Sequence, residues 1–379
     1  MGGQSAPKLK AAFCQMHKLF QMLAALVAAV TATFAPHGDV HPTSGALLRH
    51  VVIAPPAPAD LAEQVRQLGQ GFNGHVGIAI HDIDTGWTAA WNGDQLFPQQ
   101  SVAKLWVALA TFQQIDEGRQ HLEDPVFLTR DDLSLFHQPI AAKVGANGYT
   151  ATVDELLFDA LAKSDNAAND ALIRHAGGPD AVRDVVVQKG LGAIRAGEEE
   201  RMLEPRIAGM EWRPEYTQGW AFQTARETLP EAYRKAKLDE YVADPDDGAS
   251  PDAITLSLAR LKKGQLLSQA STQHFLDILT QTETGARRLK GGLPDGWIIQ
   301  HKTGTGQELG ARETGWNDVG IITAPDGRAY AVAVMIGDTT APLDARIGLF
   351  QKVARALAEW HAHNLPAQQQ AGEAPAKQG

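Results

Sequence analysis

Apolar residues recur with period two in short segments near both ends of this 379-residue chain, and the stretch between reads mainly as helix. Residues that alternate in this way line one face of a strand. Near the front, "GHVGIAIHDIDTG" sets Val76, Ile78 and Ile80 on one side, and "WTAAWNGDQ" follows a Thr-Gly turn as the second arm of a hairpin. Near the back come "GWIIQHKTG", "TGWNDVGIITAPDG" and "AYAVAVMIGD", the last two joined through Pro-Asp-Gly. An amphipathic helix starts near Asp60, and another, "LDARIGLFQKVARALAEWHAH", closes the pattern. A lone hairpin is marginal in water, so the two ends must meet. The pattern predicts an α+β fold of three-layer α/β/α type. A five-stranded antiparallel sheet is built from both chain ends and flanked by helices, with an all-helical domain inserted. The sheet half spans residues 57–100 and 283–365, the helical half 101–282. The crevice between them is the natural place for a site.

Charge narrows the partners. Against 44 Asp+Glu stand 34 Lys+Arg, a formal net charge of -10, which argues against nucleic acid or an anionic membrane surface. Thirteen histidines suggest metal, but no H-E-x-x-H or C-x-x-C occurs, so no metal or cofactor is expected. His361 and His363 read as surface residues of the last helix, and "ADPDDG" at 243–248 as a solvated turn rather than a calcium loop. "MHKLFQMLAALVAAVTATFAPHG" has a basic start, a short apolar run and small residues at Val30, Thr31 and Ala32. That layout predicts a secretory signal peptide within residues 1–32, because a membrane span needs roughly 20 apolar residues. The expected location is periplasmic or secreted, with no stable membrane span. The single cysteine, Cys14, falls in that segment, so the mature chain would carry no disulfide. Residues 33–56 read as a linker and 366–379 as a disordered tail. The expected species is a monomer acting on a small molecule.

Ser101 and Lys104 open an unusually apolar helix, "SVAKLWVALATF". Their i, i+3 spacing stacks the two side chains on one face. A buried lysine with a second cation nearby loses its proton readily, and a neutral amine beside a hydroxyl makes the serine a nucleophile. By itself the pair reads better as a capping serine and a solvent-reaching lysine. An S-x-x-K arises by chance about once in a chain this long. However, "LAKSDNAAND" supplies Ser164-Asp165-Asn166 ahead of a helix, and "WIIQHKTGTG" places Lys302-Thr303-Gly304 on a strand. Either tripeptide is expected below roughly 0.1 times per chain.

With S-x-x-K, S-D-N and K-T-G in this order, the chain resembles the class A β-lactamases, within the penicillin-recognising serine enzymes. The likeness covers roughly residues 57–365 and includes "LKGGLPDGW" and "NDVGII". It implies that Ser101 attacks a lactam carbonyl with Lys104 in its proton network, and that Ser164 relays a proton to the lactam nitrogen. Asn166 would hold the acylamido side chain. Lys302 would add positive potential and keep Lys104 neutral. The N–H groups of Ser101 and Thr305 would form the oxyanion hole. Thr303, Gly304 and Thr305 would line the substrate, with Arg288 or Arg312 at its carboxylate and Arg288 preferred.

The likeness weakens at the so-called omega loop, about 195–250. Its deacylating glutamate falls on Glu200, with Glu204 of the Glu-Pro pair as rival; otherwise the acidic run is a solvated turn. The asparagine that shares the water is missing. Asp247 fits the aspartate of the loop clamp, and Arg201 or Arg206 would be its partner. "MEWRPEYTQGWAFQTARETLPEAYRKAKLDEYVAD" lengthens the loop. Trp212, Tyr216, Trp220 and Phe222 are expected to pack a satellite core rather than roof the cleft. Phe136 or His137 falls at the family's aromatic gate. The leading expectation is an exported serine β-lactamase acting through a Ser101 acyl-enzyme. The rivals are a DD-peptidase or related amidase/esterase acting on cell-wall-like peptides, and a sensor that is acylated once.

Overall fold

A computed structural model describes residues 54–364 except 197. The expected signal peptide, Cys14, most of the linker and the tail lie outside the described residues. Helix α1 (Ala59–Gln70) leads into the hairpin β1 (Gly74–Asp82) and β2 (Thr88–Trp91). Helices follow at α2 (Lys104–Asp116), α3 (Val153–Leu161), α4 (Asn166–His175), α5 (Pro179–Gln188) and α6 (Glu200–Ile207). Next come α7 (Ala221–Glu227), α8 (Glu231–Ala243), α9 (Pro251–Lys262) and α10 (Gln269–Thr280). Strands β3 (Ile298–Gly304), β4 (Arg312–Thr323) and β5 (Ala329–Thr339) precede the closing helix α11 (Leu343–His363).

The strands from both ends share one sheet, in the order β2-β1-β5-β4-β3, with antiparallel pairing throughout. Ile78 lies opposite Val334, so the front hairpin cannot close its edge until the last strand arrives. Period two decides what each face meets. Val76, Ile78 and Ile80 join Val332, Val334 and Ile336 against Leu61, Val65, Phe350 and Leu357 of α1 and α11. The alternate residues Ala331, Ala333 and Met335 join Val319, Ile321 and residues of α2, α9 and α10. The central helices therefore share one continuous core with this sheet face. Within it α2 is buried at every residue from Lys104 to Gln114, as its lack of a polar stripe requires.

Five features depart from expectation. A two-residue strand, Glu308–Leu309, folds back on β4 as a sixth member of the sheet. The mainly helical stretch contains a small two-stranded antiparallel sheet, Pro125–Leu128 with Tyr149–Thr152, where aromatic and β-branched residues concentrate. His361 is buried, its Nδ1 2.8 Å from the Tyr330 hydroxyl, because α11 stays regular past it. Asp247, read as part of a solvated turn, is fully buried. Of the four loop aromatics, Tyr216 and Phe222 form a satellite cluster with Leu135 and Ala208, with Trp212 packed against it, whereas Trp220 stays 77% exposed.

Candidate active site

Ser101 occupies a 3-10 turn, Gln100–Ala103, that runs directly into α2. One turn on, Lys104 Nζ donates to Ser101 Oγ at 2.7 Å, to Asn166 Oδ1 at 2.8 Å and to Glu200 Oε1 at 2.6 Å. Three donors and three acceptors leave the buried amine fully satisfied. From the opposite wall, Lys302 Nζ donates to Ser164 Oγ at 2.8 Å and to the Thr303 carbonyl at 3.0 Å. Burial, and then the nearby Lys104 cation, hold Lys302 well below the usual lysine range.

Three short contacts explain how distant segments meet here. A Cβ on Gly304 would stand 2.4 Å from the Gln99 carbonyl oxygen, so only glycine lets β3 lie against the segment carrying Ser101. Asn317 on β4 donates to the carbonyls of Pro98 and Gln99 at 2.8 and 3.0 Å. Asp165 caps α4 through Ala168 N and also accepts from Ile140 N, which fixes Ser164 and Asn166 at the helix entrance. Backbone strain collects at the same place. Of the non-glycine residues with positive φ, Gln100 (φ 53°), Phe136 (φ 58°) and Ser164 (φ 62°) flank or line the cleft.

Of the two arginines the sequence offered for the carboxylate, Arg288 is the one that lines the cleft. It lies against Trp316, 4.0 Å from the ring centroid, and Nη2 donates to Thr305 Oγ1 at 2.7 Å. Burial lowers its pKa to about 10. Arg312 is instead engaged by Asp338 and Asp239. Thr303 Oγ1 is 2.7 Å from Thr284 Oγ1. Phe136 and His137 both line the cleft, which has a volume of about 430 Å³, and His137 Nε2 is 2.8 Å from the Lys163 carbonyl.

Both candidate glutamates, Glu200 and Glu204, are buried, which excludes a solvated turn for them. They stand one turn apart on α6, so they share a face. Glu200 reaches Lys104, and its own N–H donates to Asp170 Oδ1. Glu204 lines the cleft, and Gln307 Nε2 clamps its Oε2 at 2.7 Å and its carbonyl at 2.8 Å. Burial first, then the Glu200 charge, push Glu204 up to about 8. Burial likewise raises Asp170 to about 7, with Glu200 adding to it.

The predicted arginine clamp on Asp247 is absent among the described residues. Asp247 accepts from Gln100 N at 2.6 Å and from the Tyr241 hydroxyl at 2.8 Å, and burial raises it to about 6. Arg206 pairs with Glu198 and Arg201 with Glu199. Tyr241 lies on α8, within the loop read above as enlarged, and through Asp247 it supports the residue before Ser101. Sequence reasoning missed Gln99, Tyr241, Gln307, Asn317 and Arg226. Their spacing carries no motif, although Asn317 opens the quoted "NDVGII".

Known proteins share this fold, and their comparison with the chain defines its class. The model of the beta-lactamase enzyme family matches residues 60–361. The beta-lactamase VEB-1 of Pseudomonas aeruginosa is 31% identical over 288 residues, covering 74% of this chain and 83% of that protein. The crystal structure of a beta-lactamase from Chitinophaga pinensis superposes with a TM-score of 0.66 at 28% identity, covering 80% of this chain and 100% of the other. An ancestral (GNCA) class A beta-lactamase gives 0.62 at 29% identity, with 79% and 99% covered. The chain belongs to the beta-lactamase enzyme family and is of the class A type.

Proposed function

We propose that the mature chain is an exported serine β-lactamase that opens the lactam amide through an ester on Ser101. The observation that carries this reading is the Ser101–Lys104–Glu200 network, 2.7 and 2.6 Å in its two links. It sits in one cleft with Ser164 and, behind that hydroxyl, Lys302. Lys104 passes a proton to Glu200 across their bond and then takes the Ser101 proton as Oγ attacks the carbonyl carbon. The N–H groups of Ser101 and Thr305 receive the oxyanion. When the ring C–N bond breaks, the proton on Lys104 reaches the nitrogen through Ser164. Glu200 returns its proton to Lys104 and then, as carboxylate, takes one from the water that attacks the ester. That proton goes back to Ser101 as the product acid leaves. Arg288, Thr303 and Thr305 fit the substrate carboxylate.

Nitrocefin turnover, with intact-mass spectrometry after mixing with benzylpenicillin, tests the reading. Wild type is expected to turn over, and Ser101→Ala to neither turn over nor gain mass. A wild type that gains mass and stays modified supports the acylated sensor. Turnover of acyl peptides with stalled penicillin supports the DD-peptidase alternative. No reaction at all removes the β-lactam assignment.

A further inference from the structure

The added segment brings a second arginine to the cleft. Arg226, on α7, lines the same cavity as Ser101, Ser164 and Asn166. Its Nη1 donates to Gln307 Oε1 at 2.9 Å, while its Nε is buried without a hydrogen-bond partner among the described residues. A side recess shares Arg226, Gln307 and Glu308 with the cleft and adds Arg234 of α8, whose Nε is equally unpartnered among the described residues. Two such guanidiniums close together are an unfilled demand for an anion.

The carboxylates that face Arg226 are Glu204, Glu227 and Glu308. Burial pushes Glu204 up to about 8, so of the three it adds least negative charge near neutral pH, leaving Glu227 and Glu308 against the two arginines. The donors of Arg288, at the other cleft arginine, are already directed to Gly304 O, Asn317 O and Thr305 Oγ1 around the place proposed for the core carboxylate. Arg226 is anchored two residues beyond Thr305, on Gln307, and so serves a different group of the substrate.

We propose that Arg226, with Arg234 behind it, forms an anion subsite that favours β-lactams carrying a carboxylate on the acyl side chain. This rests on the lactamase reading above and names its substrate class. The Gln307 amide steers Nη1 of the guanidinium, leaving Nη2 to donate to a carboxylate oxygen with the charge of the buried remainder behind it. The enlarged loop thereby becomes a specificity element.

The test compares kcat/KM for carbenicillin and benzylpenicillin, which differ by one side-chain carboxylate, in the mature protein. Arg226→Gln is expected to lower the carbenicillin-to-benzylpenicillin ratio by roughly tenfold, and Arg226→Lys to keep most of it. Raising ionic strength from about 0.05 to about 0.5 M should lower the wild-type ratio. An unchanged ratio in Arg226→Gln, with both penicillins still hydrolysed, overturns the subsite. Should that variant fail to fold by circular dichroism, the wild-type salt series decides, and a salt-independent ratio overturns it equally. A wild type inert to both penicillins instead defeats the lactamase reading and takes the subsite with it.

Discussion

Glu200 and Glu204 differ by one helical turn and by what their carboxylates touch. Glu200 faces the Lys104 amine at 2.6 Å, whereas Glu204 is held by a neutral amide, Gln307. A base needs a partner that can return its proton, and only Glu200 has one. Glu200→Gln is therefore expected to acylate more slowly, because Lys104 loses its proton acceptor, and then to stall, with deacylation slowed by about 10²–10⁴-fold. Mass spectrometry should find a persisting benzylpenicillin adduct; normal turnover in that variant would remove Glu200 from the role. Glu204→Gln should not trap the adduct in the same way. The pair Ser101 and Lys104 was readable because i, i+3 geometry is local. The choice between the glutamates was not, since it depends on which chain segment supplies the facing amine or amide.

At the scale of elements, two contacts carry testable weight. Tyr241 brings α8 to the Ser101 segment through Asp247 and Gln100. Tyr241→Phe leaves the buried Asp247 short of a donor and should cost about 1–3 kcal/mol, read by denaturant unfolding. Its acylation rate should fall as well, because the 3-10 turn loses support. Gly304→Ala places a Cβ 2.4 Å from the backbone oxygen of Gln99, which cannot rotate away. The strand must back off, with a stability loss of about 1–3 kcal/mol and a larger relative loss of nitrocefin turnover. A fully active Gly304→Ala would show that the close approach of β3 is dispensable. Strand periodicity and the S-D-N and K-T-G positions told which elements exist. That β4 holds the Ser101 segment through Asn317 is a pairing between chain ends, invisible to any local window.

Across the whole molecule, stability should depend on pH through its buried acids. Glu204 ordinarily titrates at 4.5 and in the folded chain at about 8. Between those values the folded state keeps a proton that the unfolded state releases, so stability falls as pH rises through the window. Asp170, raised to about 7, and Asp247, raised to about 6, act in the same direction. Glu204→Gln removes one of these protons, so its melting temperature should gain on wild type between about pH 5 and about pH 8. A constant gap in thermal scans would show that Glu204 does not titrate late.

By itself the sequence determined the strands at both ends, the apolar helix that must be buried, and the order in which serine, lysine, asparagine and the second lysine appear. Those follow from period, local spacing and residue chemistry. Tertiary structure alone decided that Asp247 lies dry beneath a tyrosine rather than beside an arginine, that Trp220 faces water, and that Arg226 reaches the cleft. Burial and charge pairing belong to the folded whole, because each depends on a neighbour that can stand 100 or more positions away: the Gln99 side chain, for example, donates to the Asp247 carbonyl across a sequence separation of 148.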